Sequence, residues 1–253
     1  MTTIDLNSDM GEYESSEYLA RDMQLMPFVT SVNIACGVHA GHPDLMRRTA
    51  RLAADHGNAI GAHPGFPDTQ DFGRRDRRTT PEEVASLVFT QLNTLADVLA
   101  SDRLTLNHVK LHGALYNLAA RDSTIADTVV QAIVSFDRHL LLFALAGSVL
   151  VERGKDAGLA IVQEAFVDRA YQSNGTLVPR SQPNALLQTE GQVRRQLREI
   201  LSGYVTSRDG QSVPIQADSL CMHADTPGAL DFIRLIRQDI ESAGVRITRA
   251  RRA

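Results

Sequence analysis

Seven short apolar runs, each closing on a cluster of polar residues, recur along the chain and are separated by longer stretches with helical spacing. The runs predict strands at Thr3–Leu6, Val29–Ala35, Asn58–Ala62, Asn107–Leu111, Leu140–Leu145, Leu159–Glu164 and Ser219–Met222. Between them, apolar residues at positions such as Leu45, Met46, Ala50 and Ala53 repeat at the period of an amphipathic helix. Helices are expected near 45–56, 81–100, 123–135, 189–201 and 228–243. Thr80-Pro81-Glu82-Glu83 carries the start signals of the second: a capping Thr, Pro in the first turn and Glu three residues on. The first two strands are joined by a stretch that reads as loop, and Asp209-Gly210 predicts a small antiparallel hairpin between 204–207 and 212–215. Strands that alternate with helices build a parallel sheet. Polar clusters at the strand ends favour a closed or nearly closed barrel, which collects reactive groups at the carboxyl ends of its strands.

Composition keeps that picture and narrows the function. A chain of 253 residues accommodates one α/β barrel without a second domain. With 43% hydrophobic and 22% charged residues it has the balance of an ordinary globular protein rather than a disordered or fibrous one. No Trp, 5% aromatics and a net charge of −4 argue against nucleic acid or an anionic membrane as partner. The opening MTTIDLNSD has no basic segment followed by an apolar one, so a cytoplasmic location is expected. The longest apolar run, Leu140–Ala146, falls far short of the roughly 20 residues of a membrane span. Cys36 and Cys221 read as buried reduced thiols, and Arg246, Arg249, Arg251 and Arg252 as a solvated tail.

The chemistry lies in the clusters. Asp9 and Glu12, on either side of Gly11, offer two carboxylates for a cation or for divided acid and base roles. His39 and His42 are spaced for a shared metal, and His63 is held at a strand end by Pro64. Asp9, His39 and His63 are the candidate ligands of a divalent cation. Lys110 and His112 alternate with apolar neighbours and so share a face. An inward lysine there needs a carboxylate or an anionic substrate, and His112 titrates near neutrality. After the sixth strand come Glu164 and the pair Asp168-Arg169, which serves acid–base work or braces the loop as an ion pair. His223 and Asp225 read as a histidine with its orienting carboxylate. Gly147 and Gly154-Lys155 enclose six residues where a phosphate-binding loop has four, which excludes a self-contained ATP site of that type. Neither a Gly-x-Ser-x-Gly elbow nor a His-Glu-x-x-His helix occurs.

The segments DLNSDMGE (5–12), SVNIACGVHAGHP (31–43), IGAHPGFPDTQDFGRR (60–75), HVKLHGALYN (108–117), EAFVDRAY (164–171) and CMHADTP (221–227) resemble the LamB/YcsF family in order and over nearly the whole chain. The resemblance implies a single-domain, seven-stranded β/α barrel of the glycoside hydrolase/deacetylase type. It implies the A component of a bacterial ATP-dependent 5-oxoprolinase, a hydrolase that opens 5-oxo-L-proline to L-glutamate together with two partner subunits, B and C. In that scheme ATP is the co-substrate, handled largely by the partners. Asp9, His63, Lys110, His112, His223 and Asp225 carry the chemistry, while Asn7, Glu12, Asn33, His39, Arg74, Arg75, Glu164 and Arg169 contact the substrate. Ser8, Val38, Leu111 and Met222-His223-Ala224 depart from the family's usual Cys, aromatic, Pro and Val-His-Gly. Two other readings stay open: a metal-dependent amide or polysaccharide deacetylase acting alone, and a non-catalytic component that only binds substrate.

Overall fold

Along the first strand, Asp5, Asn7 and Asp9 alternate with Ile4, Leu6, Ser8 and Met10, and all seven are buried. A strand hidden on both faces by an inner and an outer layer explains this pattern. In the computed structural model, which describes residues 3–223 and 228–252, the acidic and amide set turns inward and the other set turns outward beneath the helices. Strand β1 therefore runs Thr3–Met10, through the polar residues expected to follow it.

Parallel strands β1, β2 (Ser31–Ala35), β3 (Ala59–His63), β4 (His108–Lys110), β5 (Leu141–Leu145), β6 (Ala160–Phe166) and β9 (Ser219–Cys221) pair in that order, and β9 pairs back onto β1 to close the barrel. The predicted hairpin is present as β7 (Tyr204–Thr206) against β8 (Ser212–Pro214), with Gly210 supplying a positive φ in the turn. A last short strand, β10 (Arg246–Ile247), lies parallel beside β1. The basic end is thus not a free tail: Thr248 N–H donates to Ile4 O at 2.9 Å, and Ala250 packs on Leu141, Phe143 and Val162. The side chains of Arg246, Arg249, Arg251 and Arg252 are exposed, as expected, while the backbone that carries them is tied down.

Five of the helices match expectation: α2 (Pro43–Asp55), α3 (Pro81–Ser101), α5 (Ser123–Asp137), α7 (Glu190–Leu201) and α8 (Ala229–Ser242). Thr80 and Glu83 form the anticipated capping box, and Thr189 with Gln192 forms another. Three shorter helices have no clear sequence signal: α1 (Ser16–Leu25), α4 (Gly113–Ala119) and α6 (Val149–Asp156). The first lies in the stretch that reads as loop before β2; the other two, of seven and eight residues, are too short for a helical period to show. Helix α3 is long and apolar enough by length and composition to cross a bilayer, yet its Val84, Val88, Leu92, Leu95 and Leu99 are buried in the protein core. Each such side chain contributes roughly 1.5–3 kcal/mol.

Packing inside the barrel is close around His108. Its Nε2 lies 2.8 Å from Asn33 Oδ1, its ring lies on Phe143, and a Cβ on Gly61 would come within 2.1 Å of it. Gly61→Ala is therefore expected to lower stability by roughly 1–3 kcal/mol. An unchanged denaturation midpoint would show that the ring has room to move. Burial, reinforced by the Lys110 charge, pushes the His108 pKa down to about 3. Below about 6.5 the unfolded chain thus binds a proton that the folded one refuses, so this contribution is complete above that pH and is lost on acidification toward 3. Between pH 7 and pH 5, His108→Gln should lose about 2 kcal/mol less stability than the parent. Parallel pH profiles from urea denaturation would contradict that assignment.

Candidate active site

Three strands deliver one buried ion cluster. Lys110, at the end of β4, places its ammonium 2.9 Å from Asp9 Oδ1 and 2.9 Å from Glu164 Oε1, with Asn7 Oδ1 at 3.0 Å and Cys221 Sγ at 3.1 Å. Burial alone would push this ammonium down, but Asp9, Cys221 and Glu164 around it raise its pKa well above the usual value. Burial works upward on Asp9, and the His63 ring and Lys110 bring it well below the usual carboxylate range. Glu164 is fully enclosed, accepting from Asn7 Nδ2 and Tyr116 O–H at 2.8 Å each. Tyr116 is held as a phenol, its pKa driven well up by burial and by Glu164. Asn33 donates to both Asn7 Oδ1 and Asp9 Oδ1 at 2.8 Å, so Asn7 and Asn33 brace the cluster rather than face a ligand.

Beside the cluster stand four histidines. His63 Nδ1 lies 2.8 Å from Lys110 O, and its Nε2 lies 3.2 Å from Asp9 Oδ2. His112 stands at the N-terminus of α4; its Nε2 lies 2.8 Å from Phe72 O, and its Nδ1 lies 2.9 Å from His63 Nε2. Burial first, then His39 and His63, keeps His112 well below the usual imidazole pKa. His39 stacks flat on His112, with ring centroids 3.9 Å apart. His223 Nδ1 donates to Asp168 Oδ2 at 2.9 Å, which leaves its Nε2 on the cavity side, 3.9 Å from Asp9 Oδ2. Burial works upward on Asp168 too, yet His223, Arg180 and Arg169 hold it far below the usual range.

Above this floor opens a cavity of about 840 Å³, within the range of small-molecule sites. Asp9, His63, Lys110, His112 and His223 face it from the floor, and Arg74, Arg75, Arg121, Arg169 and Arg180 from the walls. Arg169, on the loop after β6, donates to Val178 O at 2.7 Å. Burial, with the Arg180 charge beside it, lowers its pKa to about 10, so it stays cationic at neutral pH. Arg74 lies over the Phe72 ring at 4.8 Å, while Arg75 reaches outward to Asp71.

Most sequence candidates converge. Glu12 and His39 sit behind His112, their closest atoms 3.5 Å apart. His42 is apart from them, 2.8 Å from Glu14 and half-exposed. Asp225 lies outside the described residues, and a carboxylate that does orient His223 is Asp168. Within the Asp168-Arg169 dipeptide the carboxylate accepts from His223 and the guanidinium donates to Val178 O, while the two charges also stabilise each other. Three participants carry no usable sequence signal. Tyr116 and Phe72 stand out only by their neighbourhood in the chain, and Arg180 lies in a loop whose course no periodicity reveals.

Comparison with known proteins agrees with this architecture. The family model for LamB/YcsF matches residues 4–253. The 5-oxoprolinase A component of Symbiobacterium thermophilum is 46% identical over 96% of this chain and 94% of its own length. That of Bacillus subtilis is 44% identical over 98% and 97%. Among solved structures, the lactam utilization protein from Thermus thermophilus superposes with a TM-score of 0.88 at 42% identity, covering 98% of this chain and 99% of that one. The chain belongs to the LamB/YcsF family.

Proposed function

We propose that this chain is the lactam-handling component of an ATP-dependent 5-oxoprolinase, working in the cytoplasm with two partner subunits, B and C. Together they convert 5-oxo-L-proline to L-glutamate while ATP becomes ADP and phosphate. The observation that carries the reading is a fixed ammonium beside a His–Asp pair on the floor of an arginine-walled cavity. Full-length likeness to proteins named as 5-oxoprolinase components gives that cavity its substrate class.

An unstrained lactam resists water because its nitrogen is a poor leaving group and its carbonyl a poor electrophile. Transfer of the γ-phosphoryl group of ATP to the ring carbonyl oxygen, assigned to the partner subunits, corrects the second fault. Water then adds to the former carbonyl carbon, the C–N bond breaks as the nitrogen takes a proton, and a second water releases phosphate from the resulting acyl phosphate. Lys110 offsets the negative charge of the phosphorylated ring oxygen and of the acyl phosphate that follows. His223, its Nδ1–H committed to Asp168, presents a lone pair that takes the proton from water and returns it to the nitrogen. Arg169, with Arg74 near it, meets the carboxylate and phosphoryl oxygens of the ligand, as guanidinium forks do. His63 and His112 leave the proton-carrying role expected of them, since each has one ring nitrogen fixed to a backbone carbonyl and the other turned toward its partner.

The test is reconstitution with the two partner subunits and measurement of L-glutamate and ADP from 5-oxo-L-proline. Glutamate formation is expected to vanish when this chain is omitted and to fall at least ~100-fold in His223→Gln. Lys110→Met is expected to fall as far, with circular dichroism confirming the fold. Unimpaired glutamate formation by Lys110→Met, or by the partners alone, would overturn the reading.

A further inference from the structure

Two histidines point lone pairs at each other. A backbone carbonyl only accepts, so in the neutral ring His63 Nδ1, 2.8 Å from Lys110 O, carries the proton, and Nε2 is bare to meet a cation. By the same reasoning His112 Nε2, 2.8 Å from Phe72 O, carries the proton, and its Nδ1 is bare. The two bare nitrogens lie 2.9 Å apart. Asp9 Oδ2 is 3.2 Å from the first, and Glu12 Oε1 is 3.4 Å from the second and 3.9 Å from the first. Glu12 Oε1 is buried and accepts no hydrogen bond among the described residues. Three electron-pair donors, Asp9 Oδ2, His63 Nε2 and His112 Nδ1, thus converge within 4.8 Å of one another, and Glu12 Oε1 stands beside the two imidazole nitrogens.

We propose that His63 Nε2, His112 Nδ1 and Asp9 Oδ2 form a binding site for one divalent transition-metal cation of the zinc class, with Glu12 beside it to balance charge or close the coordination. Zinc bonds of about 2.0–2.1 Å in a tetrahedron set ligand atoms roughly 3.3–3.4 Å apart; His63 Nε2 lies 2.9 Å from His112 Nδ1 and 3.2 Å from Asp9 Oδ2, close to that value, and Glu12 Oε1 is 3.4 Å from His112 Nδ1. Charge agrees: Asp9, Glu12 and Glu164 stand against the single ammonium of Lys110, an excess of two carboxylates. So do the supports behind the ligands. Asp9 is anchored through Oδ1 by Lys110 and Asn33, which leaves Oδ2 for the cation. The carbonyl that fixes His112 belongs to Phe72, whose φ of 55° is a left-handed conformation that a bulky residue holds only under constraint.

His39 is excluded from this set although its spacing in the sequence suggests it. Its ring is parallel to His112 within 4° at 3.9 Å, so its in-plane lone pairs cannot reach an ion lying in the His112 plane. His63 meets His112 edge-on at 85° and can. A cation held there supplies Lewis-acid chemistry at the cavity floor. Only that use rests on the lactam-opening reading; the site itself rests on the ligand geometry.

The test is calorimetric titration of the chelator-stripped full chain with Zn2+, followed by Co2+ loading to read visible d–d bands. The expected result is one cation per chain, a raised melting temperature on loading, and affinity weakened at least ~100-fold in His63→Gln and in His112→Gln. His139→Asn, remote from the site, should bind as the parent does. Circular dichroism of the stripped variants separates lost binding from lost fold, and Glu12→Gln, the mildest change, should weaken affinity with the fold intact. Absence of stoichiometric binding and of a thermal shift in the parent would overturn the proposal and leave a shared proton between the two rings. Binding unaffected by both histidine variants would overturn it as well. Neither result touches the dependence of glutamate formation on this chain, so the two readings can fail separately.

Discussion

A lysine ammonium enclosed in the middle of a barrel is tolerable only if anions surround it, and the rest of the interior follows from that requirement. Lys110 is matched by Asp9 from β1 and Glu164 from β6 at 2.9 Å each. Those carboxylates demand donors in turn, met by Asn7, Asn33 and Tyr116. Removing one member of such a group leaves an uncompensated buried charge, at a cost of about 3–5 kcal/mol. The cluster therefore ties β1, β4 and β6 together across the barrel, in addition to the ladders around it. It also dictates the reversed pattern of β1, polar toward the axis and apolar toward the helices. A small plug of Leu141, Phe143 and Val162, with Ala250 against it, is apolar and separate from the main core.

What the cluster positions is equally specific. Asp9 shares one oxygen with Lys110 and Asn33 and turns the other to the histidines. The loop after β3 wraps those rings so closely that a Cβ on Gly65 would lie 2.8 Å from His39 Nδ1 and one on Gly73 3.0 Å from His39 Cβ. The ligand-facing groups are therefore held before any ligand arrives, as electrostatic catalysis in a dry site requires. Cationic walls over a floor of fixed charges suit a small ligand that is already anionic and becomes more so on phosphorylation.

Much of this is legible in the chain. Alternation of strands and helices points to the closed barrel, Thr80 announces its helix by a capping box, and a lysine set between Val109 and Leu111 points to the ion cluster. Where sequence and structure part, the causes are physical. The apolar run that marks a strand ends β1 too early, because a polar interior interrupts the run. The nearest carboxylate to His223 along the chain is Asp225, whereas Asp168 arrives from the neighbouring strand end, a contact of 55 residues' separation that local spacing does not encode. His39 has the spacing of a ligand; only the orientation of its ring, stacked rather than edge-on, removes it. The basic end has the composition of a solvated tail because its side chains are exposed, while its backbone extends the sheet beside β1.

Everything in the proposed chemistry requires the lactam to react on the floor defined by Lys110, His223 and the paired imidazoles. A crystal structure of the chain with 5-oxo-L-proline tests this most directly. The ring carbonyl is expected above the Lys110–Asp9 pair, with the ligand carboxylate toward Arg169. Lactam bound elsewhere, with this floor untouched, would contradict it.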